Sequence, residues 1–312
     1  MLVALTGATG FIGRRLLRDL PARGYKVRAL LRRPTSVPVE CASAIIGDIA
    51  KPYNMTAAFA DVDAVIHLAG IAPEASGTPE DDYRTQNVEA SVRLAEAARR
   101  AGAKRFVFLS SVRAQAGMAA DHVLTEASEP QPTSAYGRSK LEAERGIASV
   151  GLDWAALRLV LVYGDGVKGN MARLLQLARS RMPLPLGGLT ARRSLLALDN
   201  LVAAVECVLR HPSPLERPLL VADPEPVTVP QMIAAMRRGY GRRAGLVPVP
   251  DRLLRLGLSL AKRSEMYDRL ARPLVVDTSE LARLGFRPAV TTAQALEALA
   301  RTAKEPITQR PS

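Results

Sequence analysis

Leu2-Val3-Ala4-Leu5-Thr6-Gly7-Ala8-Thr9-Gly10-Phe11-Ile12-Gly13 opens the chain and decides its architecture. Leu2 to Thr6 is a short apolar run, which reads as a strand buried on both faces. Glycines follow at positions 7, 10 and 13, and Arg14 to Arg23 then carries Leu16, Leu17 and Leu20 at helical spacing. Strand, glycine turn and helix in that order build a seat for a pyrophosphate. Glycine reaches torsions closed to other residues, and without Cβ atoms the backbone can approach the anion. The helix N-terminus adds free N–H groups and a partial positive charge. Gly7, Thr9, Gly10, Phe11, Ile12 and Gly13 are therefore the first candidates to hold a dinucleotide.

Outward from this stretch, Val27–Leu31, Ala44–Ile46, Ala64–Leu68, Phe106–Leu109 and Trp154–Val160 read as further strands. Helices are expected over Glu80–Ala101, stopped by Gly102, and over Pro132–Val150. Such alternation specifies an α/β fold with a doubly wound parallel sheet, whose binding groove lies at the carboxyl ends of the strands. After Gly164 the alternation fades. Pro183, Pro185, Gly187 and Gly188 mark a loop, and Leu195 to Arg210 returns to strand then helix. Residues 1–165 are thus expected to form a dinucleotide-binding domain, completed by about 192–222. Residues 166–312 form mainly a smaller C-terminal substrate lobe interleaved with it, ending in a loose polar tail from Lys304 to Ser312.

The second strand ends Leu30-Leu31-Arg32-Arg33, with no carboxylate to take the ribose hydroxyls. A guanidinium suits a 2′-phosphate, so Arg32 favours NADP(H) over NAD(H). Asp48 and Ile49, after the third strand, fit the adenine edge, and Leu68, Ala69 and Gly70, closing the fourth, are expected on the same groove.

Tyr136-Gly137-Arg138-Ser139-Lys140 places a phenol and an ammonium on one helix face. A phenol titrates near pH 10, and bringing it to about 7 takes roughly 4 kcal/mol. A cation about 4 Å away at an effective dielectric near 20 supplies about that much. Lys140 is therefore expected to lower the pKa of Tyr136 and to hold the nicotinamide ribose. Ser110 and Ser111 both end the fifth strand, with hydroxyls pointing to opposite faces.

These residues resemble the extended short-chain dehydrogenase/reductase family, also called the NAD-dependent epimerase/dehydratase family, whose fold is the Rossmann fold. The resemblance rests on the Gly7–Gly13 loop, Gly47-Asp48, His67-Leu68-Ala69-Gly70, Asn87-Val88, Phe108-Leu109-Ser110-Ser111 and Tyr136–Lys140. It continues through Tyr163-Gly164, Gly169-Asn170, Arg193-Ser194, Asp199-Asn200 and Leu284-Gly285-Phe286. It implies Ser111, Tyr136 and Lys140 as catalytic residues. Pro183-Leu184-Pro185-Leu186 followed by Arg192-Arg193-Ser194-Leu195 is similar to bacterial nucleotide-sugar enzymes that interconvert or reduce C4 of UDP-hexoses. That similarity implies Arg193 on a diphosphate and Asn170 on a phosphate or uridine group, beside Ser111 on the sugar. Two positions depart from the family. Val112-Arg113 stands where the 4,6-dehydratases carry Asp-Glu, and Leu161 stands where the 4-epimerases carry Asn. The departures exclude dehydration and place an NADPH-dependent 4-keto-reductase ahead of an NAD-dependent 4-epimerase. A cofactor sensor or assembly subunit that had lost the reaction would lack Tyr136 or Lys140, and both are present.

The totals agree with an ordinary globular enzyme. Lys and Arg outnumber Asp and Glu by 43 to 30, giving +13. The basic residues are scattered, pairing only at Arg192-Arg193, Arg237-Arg238 and Arg242-Arg243, with no nucleic-acid motif beside them. Cys41 and Cys207 form no framework, and His67, His122 and His211 lie too far apart in sequence for a metal motif. The chain starts directly on its first strand without a signal segment, and no apolar run reaches the roughly 18 residues of a membrane span. A cytoplasmic protein is expected; a homodimer stays open.

Overall fold

The computed structural model describes residues 1–51, 55–72, 77–250, 252–253, 255 and 272–303. The expected loose tail Lys304–Ser312 lies outside the described residues. The strands of the main sheet are β1 (Leu2–Thr6), β2 (Lys26–Leu31), β3 (Cys41–Ile45), β4 (Ala64–His67), β5 (Arg105–Ser111), β6 (Asp153–Leu159) and β10 (Arg217–Val221). All seven are parallel and run in the order β10-β6-β5-β4-β1-β2-β3. β1 and β4 lie centrally, so helices cover both their faces and their side chains are almost wholly buried. Such strands read in sequence as apolar runs without alternation.

Helix α1 (Phe11–Ala22) buries Leu16, Leu17 and Leu20 on one face, next to α6 (Leu198–Arg210) with Leu201, Val205 and Val208. The opposite face takes α3 (Ala90–Arg100) and α4 (Ala135–Ala148), where Leu94, Ala98, Ala143 and Ile147 meet Phe106 and Phe108 of β5. The first binding groove then opens at the carboxyl ends of β1, β2, β3 and β4, as the doubly wound topology requires.

The helix expected over Glu80–Ala101 is interrupted. It comprises α2 (Glu80–Tyr83), a π-helical stretch (Arg84–Glu89) and then α3. Such wide turns concentrate at functional sites, and this one carries the buried Asn87. A second difference concerns the last strand of the sheet. Leu195–Ala197 (β9) does not join it, and pairs instead with β7 (Leu161–Tyr163). The edge beside β6 is taken by β10, in a segment where no strand was expected. Its apolar core is only Leu219, Leu220 and Val221, preceded by Pro218, which is too short for a periodic signal.

The C-terminal lobe has its own core. Met171 and Leu174 of α5 (Gly169–Arg179) pack with Met232, Ile233 and Met236 of α7 (Val229–Gly239). Leu296 and Leu299 of the last helix, Thr292–Thr302 (labelled α9 here, after α8 at Ser279–Arg283), complete it. β8 (Arg192–Arg193) pairs with β11 (Val227–Thr228) at its edge. A buried polar knot fastens the lobe to the sheet. Tyr163 donates its hydroxyl to Asp223 at 2.8 Å, and Asp223 also accepts from the Ala197 amide and from Asn200 at 2.8 and 2.7 Å.

Candidate active site

The glycine loop is a close crossing of backbones. Gly7 has φ +65°, and a Cβ there would lie 2.9 Å from the Leu68 and Ala69 backbone. A Cβ on Gly13 would lie 2.2 Å from the Gly7 carbonyl oxygen. The N-terminus of α1 has neither a side-chain cap nor an acidic residue in its first turn, so its amides face the groove without an internal partner. Beside it opens a cavity of about 740 Å³ lined by Gly7, Thr9, Arg32, Asp48, Ile49, Ala69 and Gly70, together with Arg33 and Thr35. Glycine crowding, bare helix amides and a cavity of this size fit a dinucleotide.

Other residues expected here are placed differently. Phe11, Ile12 and Leu68 turn onto the hydrophobic core, packing the loop from behind. Gly10 starts α1 and closes the loop by donating its amide to the Gly7 carbonyl at 3.0 Å. Arg32 is largely exposed and lies 3.7 Å from Asp48, whose other oxygen accepts from the Ala50 amide. The guanidinium at the end of β2 thus has a carboxylate neighbour contributed by the turn after β3.

A hydrogen-bonded chain ties this loop to the helix bearing Tyr136. Thr6 Oγ1 accepts from the Leu68 and Ala69 amides at 3.1 and 3.2 Å, which leaves its proton for His67 Nδ1 at 2.7 Å. His67 Nε2 then donates to Ser91, and Ser91 to the Asn87 carbonyl at 2.6 Å. Asn87 Nδ2 donates to Ser139, which donates to the Tyr136 carbonyl at 2.8 Å. Burial holds His67 neutral, with its pKa pushed down to about 3, and the Lys140 ammonium adds to that. None of these linking residues was assigned a role from sequence. Their spacing carries no period, and only the fold brings them together.

Ser111 ends β5, and Tyr136 and Lys140 stand on the first turns of α4, which Ser134 caps by accepting from the Gly137 amide at 3.1 Å. The two serines point in different directions. Ser110 donates at 2.5 Å to Glu144, itself paired with Arg158 at 2.7 Å inside the fold. Ser111 Oγ instead accepts from the Arg113 amide at 3.1 Å, at the start of the turn that leads toward α4, and its hydroxyl eases the burial of the Tyr136 phenolate. Tyr83 meets the Tyr136 ring edge-on, with centroids 6.1 Å apart.

One expectation is corrected. The Tyr136 pKa is raised, not lowered: burial disfavours the phenolate, and the Ser111 hydroxyl and the Arg113 guanidinium only partly oppose it. The Lys140 ammonium is turned to the Leu109 carbonyl at 3.1 Å and lies 4.4 Å from the centroid of the Phe108 ring. Its own pKa is brought down to about 8 by burial, against the pull of Glu144. Sequence spacing located the pair but not where the ammonium points.

Arg193 is half-buried in β8, where its guanidinium donates to the carbonyls of Arg272 and Met118 at 2.6 and 3.2 Å. Burial lowers its pKa, and no carboxylate pairs with it among the described residues. Asn170 is exposed at the start of α5. Among the described residues no cluster of His, Cys, Asp or Glu could hold a metal ion, and no helix is long and apolar enough to cross a membrane.

A parallel doubly wound sheet, a glycine-lined cradle and a Ser/Tyr/Lys constellation at the strand ends define a dinucleotide-dependent oxidoreductase of the extended short-chain dehydrogenase type. A family model described as the NAD dependent epimerase/dehydratase family matches residues 3–221. The chain belongs to this family. It is 30% identical over 300 residues to a UDP-glucose 4-epimerase of Vibrio cholerae, covering 93% of this chain and 91% of that protein. It is also 30% identical over 216 residues to a ceramide reductase of Caulobacter vibrioides, covering 67% of this chain and 61% of that protein. Among solved structures it is similar to MoeE5 in complex with UDP-glucose and NAD, with a TM-score of 0.74, 26% identity, and 97% and 99% of the two chains covered.

Proposed function

We propose that this enzyme transfers hydride at C4 of a nucleotide-activated sugar and that it is a 4-epimerase. The observation that carries this reading is end-to-end similarity to a UDP-glucose 4-epimerase, combined with a dinucleotide cradle and with Ser111 at the end of β5 and Tyr136 and Lys140 on the first turns of α4. In this reading the Gly7–Gly13 loop and the α1 amides hold the pyrophosphate, while Ala69, Gly70, Asp48 and Ile49 line the remainder. When bound, the nicotinamide accepts and returns a hydride. Tyr136 takes and restores the proton of the sugar 4-hydroxyl, Ser111 orients that oxygen, and Lys140 holds ribose hydroxyls. Arg193 binds the diphosphate, with Asn170 near the nucleotide end. Residues 1–165 with the 192–222 segment supply the cofactor half, and the C-terminal lobe supplies the substrate half.

Incubation with UDP-glucose or UDP-galactose and catalytic NAD+ in D2O should yield the C4 epimer. The product should carry no deuterium at C4, because the hydride returns from the cofactor. Absence of epimer across a panel of UDP-, dTDP- and GDP-sugars would overturn the reading.

A second reading, an NADPH-dependent 4-keto-reductase, is favoured by Arg32 and Arg33 in the cofactor cavity and by the half-exposed Leu161 after β6. A charge-assisted phosphate contact contributes about 1.5–3 kcal/mol, or roughly ten- to a hundredfold in affinity. Arg32→Ala should then weaken NADPH by that factor and leave NADH unchanged. Calorimetric titration showing tighter NAD binding in the wild type would remove the reductase reading.

A further inference from the structure

The 3-10 turn Val112–Ala114 after β5 carries a cation pinned at both ends to the turn that bears Tyr136. The Arg113 amide donates to Ser111 Oγ at 3.1 Å. Its carbonyl lies so close to Gly137 that a Cβ there would sit 2.2 Å away. Its guanidinium donates to Ser134, the cap of α4, at 3.4 Å and touches the Met118 sulfur. Arg113 Nε is buried without a hydrogen-bond partner, and no carboxylate pairs with this side chain among the described residues. Its neighbours hold it by weak contacts, so the charge is not spent on an internal ion pair.

Among the described residues, the other groups around Tyr136 do not supply such a charge. From α2, Tyr83 presents a ring edge. Glu80 of the same helix is engaged at the surface by Arg138 at 2.8 Å. From β4, His67 is neutral. From β5 and β6, Ser110 and Arg158 are both taken up by Glu144. Lys140 is one turn along α4, with its ammonium on the Leu109 carbonyl.

We infer that Arg113 is the positioning residue that sets the charge state of Tyr136, holding a permanent cation against the Ser134–Gly137 turn of α4 that bears the phenol. A guanidinium does not deprotonate in proteins, whereas Lys140 loses its charge above about pH 8. Phenolate character of Tyr136 in the alkaline range therefore depends on Arg113. The inference rests on Tyr136 being the acid of the centre, and its test requires neither substrate nor turnover.

The test places 3-fluorotyrosine at position 136, which lowers the intrinsic phenol pKa, and follows its fluorine resonance against pH in the protein saturated with NAD+. Arg113→Met and Arg113→Gln should each raise the titration midpoint by about one pH unit or more. Arg113→Lys should restore at least half of that shift below pH 9. Arg138→Met, on the same helix but at the surface, should leave the midpoint unchanged. If both neutral variants titrate with the wild type, or if Arg138→Met matches them, the inference is overturned. Loss of activity in Tyr136→Phe tests the underlying assignment separately.

Discussion

In the proposed reaction most of the chemistry converges on Tyr136. It is partly buried with its ring edge-on to Tyr83, and the ammonium four positions on is turned to the Leu109 carbonyl. General acid–base catalysis contributes about a hundred- to ten-thousandfold. Tyr136→Phe should therefore lower kcat at least about a hundredfold, leaving the dissociation constant of the cofactor within a factor of about two. Steady-state kinetics paired with fluorescence titration of the cofactor would check both halves. Retention of more than a tenth of wild-type turnover would remove Tyr136 from its role. Ser111→Ala removes the hydroxyl proposed to orient the substrate oxygen and should reduce kcat as well, whereas Ser110→Ala strikes a buried ion pair and should act on stability.

At the scale of elements, the β1–α1 turn is the least forgiving part of the fold. Alanine at an interior helix position is ordinarily better than glycine by about 1 kcal/mol. Gly13 reverses that rule, because its Cβ would meet the Gly7 carbonyl and the Ala8 backbone at 2.2 to 2.8 Å. Gly13→Ala should cost about 1–3 kcal/mol, as overpacking does, and should weaken cofactor binding at the same time. A melting temperature equal to or above that of the wild type would contradict it. This turn was also the most legible element in the sequence, since its glycines, flanking strand and helix are all local. The same holds for the Tyr136–Lys140 spacing. What could not be read was set by distant contacts. Short strand β10 has its identity conferred by β6, and the wide turn at Asn87 is held by Ile71 and Ser139. Arg113 looked like a bare departure from a family pattern until the fold laid it along α4.

For the whole molecule, the buried chain through His67 predicts an acid limit. His67 titrates near 6.5 when unfolded and at about 3 in the fold, so below 6.5 the unfolded state binds the additional proton. The stabilisation is complete above about pH 6.5 and is lost as pH falls toward 3. Melting temperatures measured from pH 7 to pH 4 should fall steadily, and His67→Gln should show a shallower dependence over the same interval. Parallel curves for the two proteins would assign the acid limit to carboxylates instead.

The placement of β10 has a consequence in time. The ribosome delivers β6 first, and the strand that covers its outer edge follows only after the chain has run through β7, α5, β9 and α6. Roughly sixty residues intervene, so at about 5–20 residues per second that edge stays uncovered for about 3–12 s. During this interval the nascent chain exposes a long apolar strand, with Trp154, Leu157 and Leu159 on it, to any other unpaired strand nearby. Slower decoding between residues 160 and 216 would lengthen that exposure. Yield of intact protein should therefore depend on translation speed there more than anywhere earlier in the message.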